Sequence, residues 1–249
     1  METTARLMEQ PELVELIAVL QSNGMEKEKQ EVETLARYLE NMEDQFSEVL
    51  MELKEVRGQL NAIQDKGIRA AALRVADKVE TKVTEVKAQV LYAKNNLVKS
   101  AAHAVNTFKE HGISAFKKAL AAMHMPEALA HIRDGLHSCA EAAHQGALKV
   151  TEISRELHEA GEHAKNAGRA LAGKASREPA AHQPDKGVLG RFQKLLIGAG
   201  RLCARMEKTS ETAIEKMKQK KPSVKEDLKI IRLEQGEKRT VKDLTEQVR

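Results

Sequence analysis

Apolar residues alternate at spacings of three and four through Val32, Leu35, Leu39, Met42, Phe46, Val49, Leu53, Val56, Leu60 and Ile63. A mean spacing of 3.5 residues is the a/d seam of a left-handed coiled coil. Val32, Leu39, Phe46, Leu53 and Leu60 take the a positions, and Leu35, Met42, Val49, Val56 and Ile63 the d positions. Leu at a with β-branched residues at d disfavours a simple parallel dimer. Ala36 and Leu50 at e widen the stripe, so more than two helices are expected to share it. The seam is expected to drive homo-oligomer formation, with Glu52 pairing Arg57 of a second copy in a parallel register. Burial of the seam within one chain is the alternative.

Upstream, Pro11 suits the first turn of a short helix carrying Leu13, Leu16, Ile17 and Leu20, and Asn23-Gly24 stops it. Leu16 and Leu20 are expected to fold onto Val32 and Leu35. Gly67 stands where the next a residue belongs, so a kink or a change of phase is expected there. Beyond it the spacing becomes 4-3-4 through Ile68, Ala72, Val75, Val79, Val83, Val86, Val90, Leu97, Ala101, Val105, Phe108, Phe116, Ala119 and Met123, interrupted by Lys94 and Gly112. An eleven-residue repeat of this kind runs almost straight along a helix.

Met125-Pro126 is expected to break that helix, because a residue preceding Pro is pushed out of the α region. A second heptad stripe follows: Leu129, Ile132, Leu136, Cys139, Ala143, Gly146, Val150, Ile153, Leu157, Ala160, Ala164, Ala167 and Leu171. The two striped helices are expected to pair antiparallel, over as much as about 70 Å at the helical rise. Residues 174–187, with Pro179 and Pro184, read as a flexible linker. Val188, Leu189, Phe192, Leu195, Leu196, Ala199, Leu202, Cys203 and Met206 then make one face of a basic amphipathic helix.

The pattern therefore predicts an all-α chain of long helices with coiled-coil segments, an antiparallel helical hairpin or bundle, and no sheet. Its parts are a short helix and turn over 1–24, a heptad helix over 25–66, a long basic helix over 67–125 and a returning heptad helix over 126–173. The linker, a basic helix over 188–215 and a charged, partly disordered tail over 216–249 complete it. Composition agrees: the 249 residues hold no Trp, four Phe, two Tyr and five Pro, so helices go unbroken and no thick aromatic core is available.

Charge is unevenly spread. Residues 1–64 carry net −8 and residues 65–249 net +12. An acidic head and a basic body suit an acidic partner on the basic side. An anionic membrane surface is one such candidate, approached through Lys186, Arg191, Phe192, Lys194, Leu195, Leu196, Arg201 and Arg205. The flanks of the eleven-residue stripe are basic too, although Val and Ala anchor weakly in lipid. Nucleic acid is disfavoured, since acids are interleaved throughout and no aromatic stacking platform exists.

Chemistry is sparse. No nucleophile elbow, phosphate-binding Gly loop or dinucleotide fingerprint occurs, and no enzyme activity, cofactor or metal is expected. His137, His144 and His158 share heptad position b but lie about 10 Å or more apart along the axis, too far to hold one ion. Cys139 and Cys203 read as small apolar helix residues in a reducing cytoplasm. Glu2, Glu9, Glu12 and Glu15 run against a signal peptide, and no apolar run reaches membrane-span length, so a cytoplasmic protein, at most peripheral to a membrane, is expected.

Four stretches carry a resemblance: Asn41-Met-Glu-Asp-Gln-Phe46, Gln64-Asp-Lys-Gly-Ile-Arg69, His158-Glu-Ala-Gly-Glu-His-Ala-Lys-Asn-Ala-Gly-Arg169 and Pro184-Asp-Lys-Gly-Val-Leu-Gly190. In these the chain resembles an uncharacterised helical family encoded on conjugative mobile elements of Gram-positive gut bacteria. The resemblance implies a bacterial, accessory, non-enzymatic role and brings no site residues with it. The expected function is a helical scaffold or adaptor that self-associates and binds an unidentified protein. Lipid binding is the first alternative and nonspecific nucleic-acid binding the second.

Overall fold

The computed structural model describes residues 6–123, 125–181 and 186–219. A 3-10 turn at Leu7–Glu9 precedes α1 (Pro11–Ser22), α2 (Glu26–Leu60), α3 (Lys66–Ala121), α4 (Met125–Leu171) and α5 (Gly187–Gln219). The protein is all-α, and no strand occurs among the described residues. The chain divides into two units, Met1–Glu211 and Thr212–Arg249. Of the second, only the last turns of α5 are described, and residues 220–249 of the charged tail lie outside the described residues.

The first unit is an up-down-up-down bundle of α2, α3, α4 and α5. Contacts step in opposite directions along each pair of consecutive helices, so the pairs are antiparallel. Arg57 and Glu43 on α2 meet Glu80 and Lys94 on α3. Gly135 and Gly146 on α4 lie against Gln89 and Val75 on α3. Thr151 and Cys139 on α4 meet Gln193 and Cys203 on α5. Tyr38 on α2 closes the ring by binding Met206 and Ser210 on α5. α1 folds back along α2, and the Glu40 carboxylate accepts from the Leu7 amide. Glu15 of α1 pairs with Lys109 of α3 at 2.6 Å.

Nine of the ten seam residues, Val32 through Leu60, are buried in this bundle. Their flanks explain how one helix serves two neighbours. Position e carries Glu43 and Arg57 toward α3, with Ala36 buried at the same position, whereas position g carries Tyr38 toward α5. The widened stripe thus marks a helix packed against α3 on one flank and α5 on the other. Within the chain Arg57 binds Asp77 and Glu80 of α3, each at 2.9 Å.

Gly67 does not kink a continuous helix. α2 ends at Leu60, the chain turns through residues 61–65, and α3 starts at Lys66 running the other way. Asp65 is the N-cap of α3: its carboxylate accepts from the Ile68 amide at 2.9 Å, satisfying one of the donors a helix start leaves open. Ile63 consequently sits in the turn, half-buried, outside the helical seam. The break expected at Met125-Pro126 falls a few residues earlier, after α3 ends at Ala121, and Pro126 belongs to the start of the next helix. It lies in the first turn of α4, where a missing N–H costs no bond.

Both interruptions of the eleven-residue stripe have structural counterparts. Lys94 is buried with its ammonium on Glu43 of α2. Gly112, at φ 72° and ψ −169°, breaks the helical path of α3. The short helical segment after it carries Phe116, fully buried, with its ring edge-on to Phe108 at 5.5 Å.

The α4 stripe outlasts its partner. Because Val75 and Val79 lie beside Gly146, the first turn of α3 is level with about residue 157 of α4. Leu129 through Ile153 are buried, whereas Leu157 is 39% and Leu171 92% exposed. The described part of the expected linker, 174–181, runs back along this protruding α4 tip, with reciprocal bonds between Asn166 and the Arg177 backbone at 3.0 Å; residues 182–185 lie outside the described residues. Arg169 donates to the Ala175 carbonyl at 2.9 Å, and His158 meets the Ala180 carbonyl at 2.7 Å.

Candidate functional site: a groove with opposed charges

Every third or fourth residue of α2 from Gln45 onward points along one edge: Gln45, Glu48, Glu52, Glu55 and Gln59. These are the c and g positions beside the seam, on the side away from α3. On α5 the matching edge is Arg191, Leu195, Gly198, Leu202 and Arg205, with Lys194 beside it. The two edges border an open groove of about 650 Å³. Val49, Val56, Leu195, Ala199 and Leu202 give it an apolar floor.

The groove exists because the helices that line it are held together elsewhere. Tyr38 donates to the Met206 carbonyl at 2.8 Å and meets the fully buried Ser210 hydroxyl at 2.9 Å. Burial raises the Tyr38 phenol above its ordinary value, with the Ser210 bond acting weakly the other way. Beyond that clamp the core face of α5, Leu189, Phe192, Leu196, Ala199, Cys203 and Met206, is buried and α5 leans on α4. There Gly200 brings the backbones close: a Cβ added to it would stand 3.5 Å from the Ala143 methyl. Gly198, one turn-edge away, opens the groove instead, and a Cβ added there would meet nothing within 4 Å.

Three carboxylates therefore border one side of the groove and three cations the other. Among the described residues no ion pair joins them across it, although elsewhere in the bundle such pairs form readily. A hydrophobic strip with an acidic bank and a basic bank is complementary to a helix carrying the reverse arrangement. The stretch from Gln45 to Gln59 is about 21 Å long, four helical turns.

The residues singled out for membrane contact separate into two sets. Lys186, Arg191, Lys194, Arg201 and Arg205 are exposed, whereas Phe192 and Leu196 are completely buried and Leu195 is half-buried in the groove floor. The apolar anchors needed for lipid insertion thus belong to the core. The seam residues proposed for self-association are also occupied within the chain, so their burial requires no second copy. Val49 and Val56 alone reach the groove. Glu48, Glu55 and Gly198 were not singled out by sequence reasoning. Glu48 and Glu55 share heptad position c beside the seam, which was visible, but the helix that faces them was not.

His137 bonds Glu207 of α5 at 3.0 Å, and His158 serves the returning strap. Among the described residues no three His, Cys, Asp or Glu side chains are grouped to hold a metal ion, and no helix is long and apolar enough to cross a membrane. No curated protein and no solved structure matches the chain. The sequence profile of DUF6674, a family of unknown function, matches residues 9–249, and the chain belongs to that family.

Proposed function

We propose that this protein is a non-enzymatic helical adaptor that docks an amphipathic helix of a partner protein in the groove between α2 and α5. The observation that carries the reading is the unbridged pairing of Glu48, Glu52 and Glu55 with Arg191, Lys194 and Arg205 across an apolar floor. A partner helix of about four turns, with Leu-type residues on one face, basic residues on one edge and acidic residues on the other, satisfies all three features. The acidic bank repels phosphate, which weighs against an anionic membrane or nucleic acid as the occupant. A cytoplasmic location belongs to the same proposal, as does an accessory setting on conjugative mobile elements, which is suggested by the stretches around Asn41, Gln64, His158 and Pro184.

The test uses a synthetic helix with that charge pattern and a second peptide with its charged edges exchanged, titrated by fluorescence anisotropy. Saturable binding of the first, weakened at least about tenfold in the second and in Gly198→Trp, is the expected result. A Cβ at Gly198 meets nothing within 4 Å, so the Trp side chain of Gly198→Trp starts from open space at the groove, and circular dichroism checks that the variant keeps its helices. Equal binding of both peptides, or binding indifferent to Gly198→Trp, overturns the proposal. So does failure of the first peptide to bind while anionic vesicles or duplex DNA bind.

A further inference from the structure

Cys139 of α4 and Cys203 of α5 are completely buried, and their sulfurs stand 2.8 Å apart. Ordinary nonbonded contact between heavy atoms begins near about 3.5 Å, and a disulfide is about 2.05 Å long. The two thiols therefore lie within a side-chain adjustment of bonding. The approach is built into the helices rather than being an accident of two rotamers. One turn along, Gly200 faces Ala143 with room for a methyl contact at 3.5 Å, and two turns along Gly146 lies beneath Leu196. Small residues hold the α4 and α5 backbones close over this ladder, which is the geometry that lets Cys side chains on adjacent helices meet.

The surroundings favour the reaction once the pair is reached. Cys203 donates its S–H to Cys139. That bond, aided by the nearby Lys82 charge, draws the Cys139 thiol below its ordinary range against the opposing effect of burial. The same contact and burial push Cys203 upward. Within the closed pair Cys139 is the acceptor and the thiol nearer to ionisation, and Cys203 is the donor.

We propose that Cys139 and Cys203 form a reversible disulfide that latches α5 to α4. With a low-molecular-weight disulfide as oxidant, the Cys139 thiolate attacks one of its sulfurs and expels a small thiolate, leaving a mixed disulfide on Cys139. Cys203, deprotonated, then attacks the Cys139 sulfur and expels the second small thiolate. The two protons given up by the cysteines end on the two small thiols, so two protein thiols are oxidised to one disulfide and one small disulfide is reduced to two thiols. Because both sulfurs are buried, exchange proceeds from a state in which α5 has lifted from α4.

The experiment uses the full chain incubated to equilibrium with oxidised and reduced glutathione, with and without mild urea to allow opening. Intact mass and thiol titration under denaturing conditions are the readouts. The expected product is monomeric, about 2 Da lighter, with no titratable thiol, and it melts several degrees above the reduced protein. Reduction should restore both thiols. Cys203→Ser and Cys139→Ser, each confirmed helical by circular dichroism, should show no mass loss and take up at most one glutathione. Two free thiols after equilibration in mild urea, stable double glutathione adducts, or an intermolecular dimer as the main product would each overturn the latch. So would an oxidised form that melts below the reduced one.

Discussion

The ammonium of Lys94 on α3 lies on the carboxylate of Glu43 on α2, with 9% and 18% of the two side chains exposed. It is a charge pair set into the edge of a hydrophobic seam. Removing one partner strands the other away from water, while replacing both leaves an apolar contact of similar size. Lys94→Ala and Glu43→Ala are each expected to cost about 3 kcal/mol in urea unfolding. Lys94→Met combined with Glu43→Leu is expected to return to within about 1 kcal/mol of the parent or above it. Independent, additive losses in the double variant would show that the two charges do not act as a pair.

The clamp between α2 and α5 gives a pH-dependent signature. Burial raises the Tyr38 phenol above its ordinary value of 10.0, so the folded state keeps this proton while the unfolded state releases it. The contribution is complete below pH 10 and is lost as pH rises through the folded-state value. Tyr38→Phe should cost about 1 kcal/mol at neutral pH through its lost hydrogen bonds. It should also flatten the decline in stability above pH 10, measured by urea midpoints across the alkaline range. An unchanged slope would place the alkaline sensitivity in other groups.

Two glycines of helices should respond to alanine with opposite signs. Gly112 has φ 72° with extended ψ, a region hostile to any side chain. Gly112→Ala is expected to lose about 1–3 kcal/mol. Gly198 lies in the interior of α5 with open space beside it, and Gly198→Ala is expected to gain about 0.5–1 kcal/mol from helix propensity. Thermal melts followed at 222 nm decide both.

The strap along the α4 tip rests on Asn166, Arg169 and His158 rather than on apolar packing. Asn166→Ala with Arg169→Ala should speed tryptic cleavage at Lys174 and Arg177 several-fold while leaving the bundle's melting temperature nearly unchanged. A large drop in melting temperature would mean that the strap supports the core as well.

Periodicity disclosed the buried face of each long helix because a 3.5-residue stripe follows directly from which side chains avoid water. It could not disclose whose helix covers that face. Leu53 meets the same chemistry whether the neighbour is α3 or a second copy, and the return of the chain between Leu60 and Lys66 is what brings α3 alongside. The signal for that return was present in Asp65 as an N-cap, beside a Gly67 that drew more attention. Lys94 registered as an interruption, since nothing local reveals Glu43 waiting on a helix paired antiparallel. The groove was less legible still. It depends on the separation of α2 and α5, two helices more than a hundred residues apart in sequence, and on a glycine that matters through the space it leaves.

The backtracking strap also fixes how this architecture tolerates changes in length. A helical residue advances the chain about 1.5 Å and an extended one about 3.3 Å. An insertion of two residues in the α4 tip therefore calls for roughly one more residue on the way back. Provided the ratio is kept, the spur can grow or shrink while Gln193 still finds Thr151 and the four-helix ring keeps its register. Size variation among relatives is then to be sought at this spur, in unequal but coupled steps on its two strands of chain.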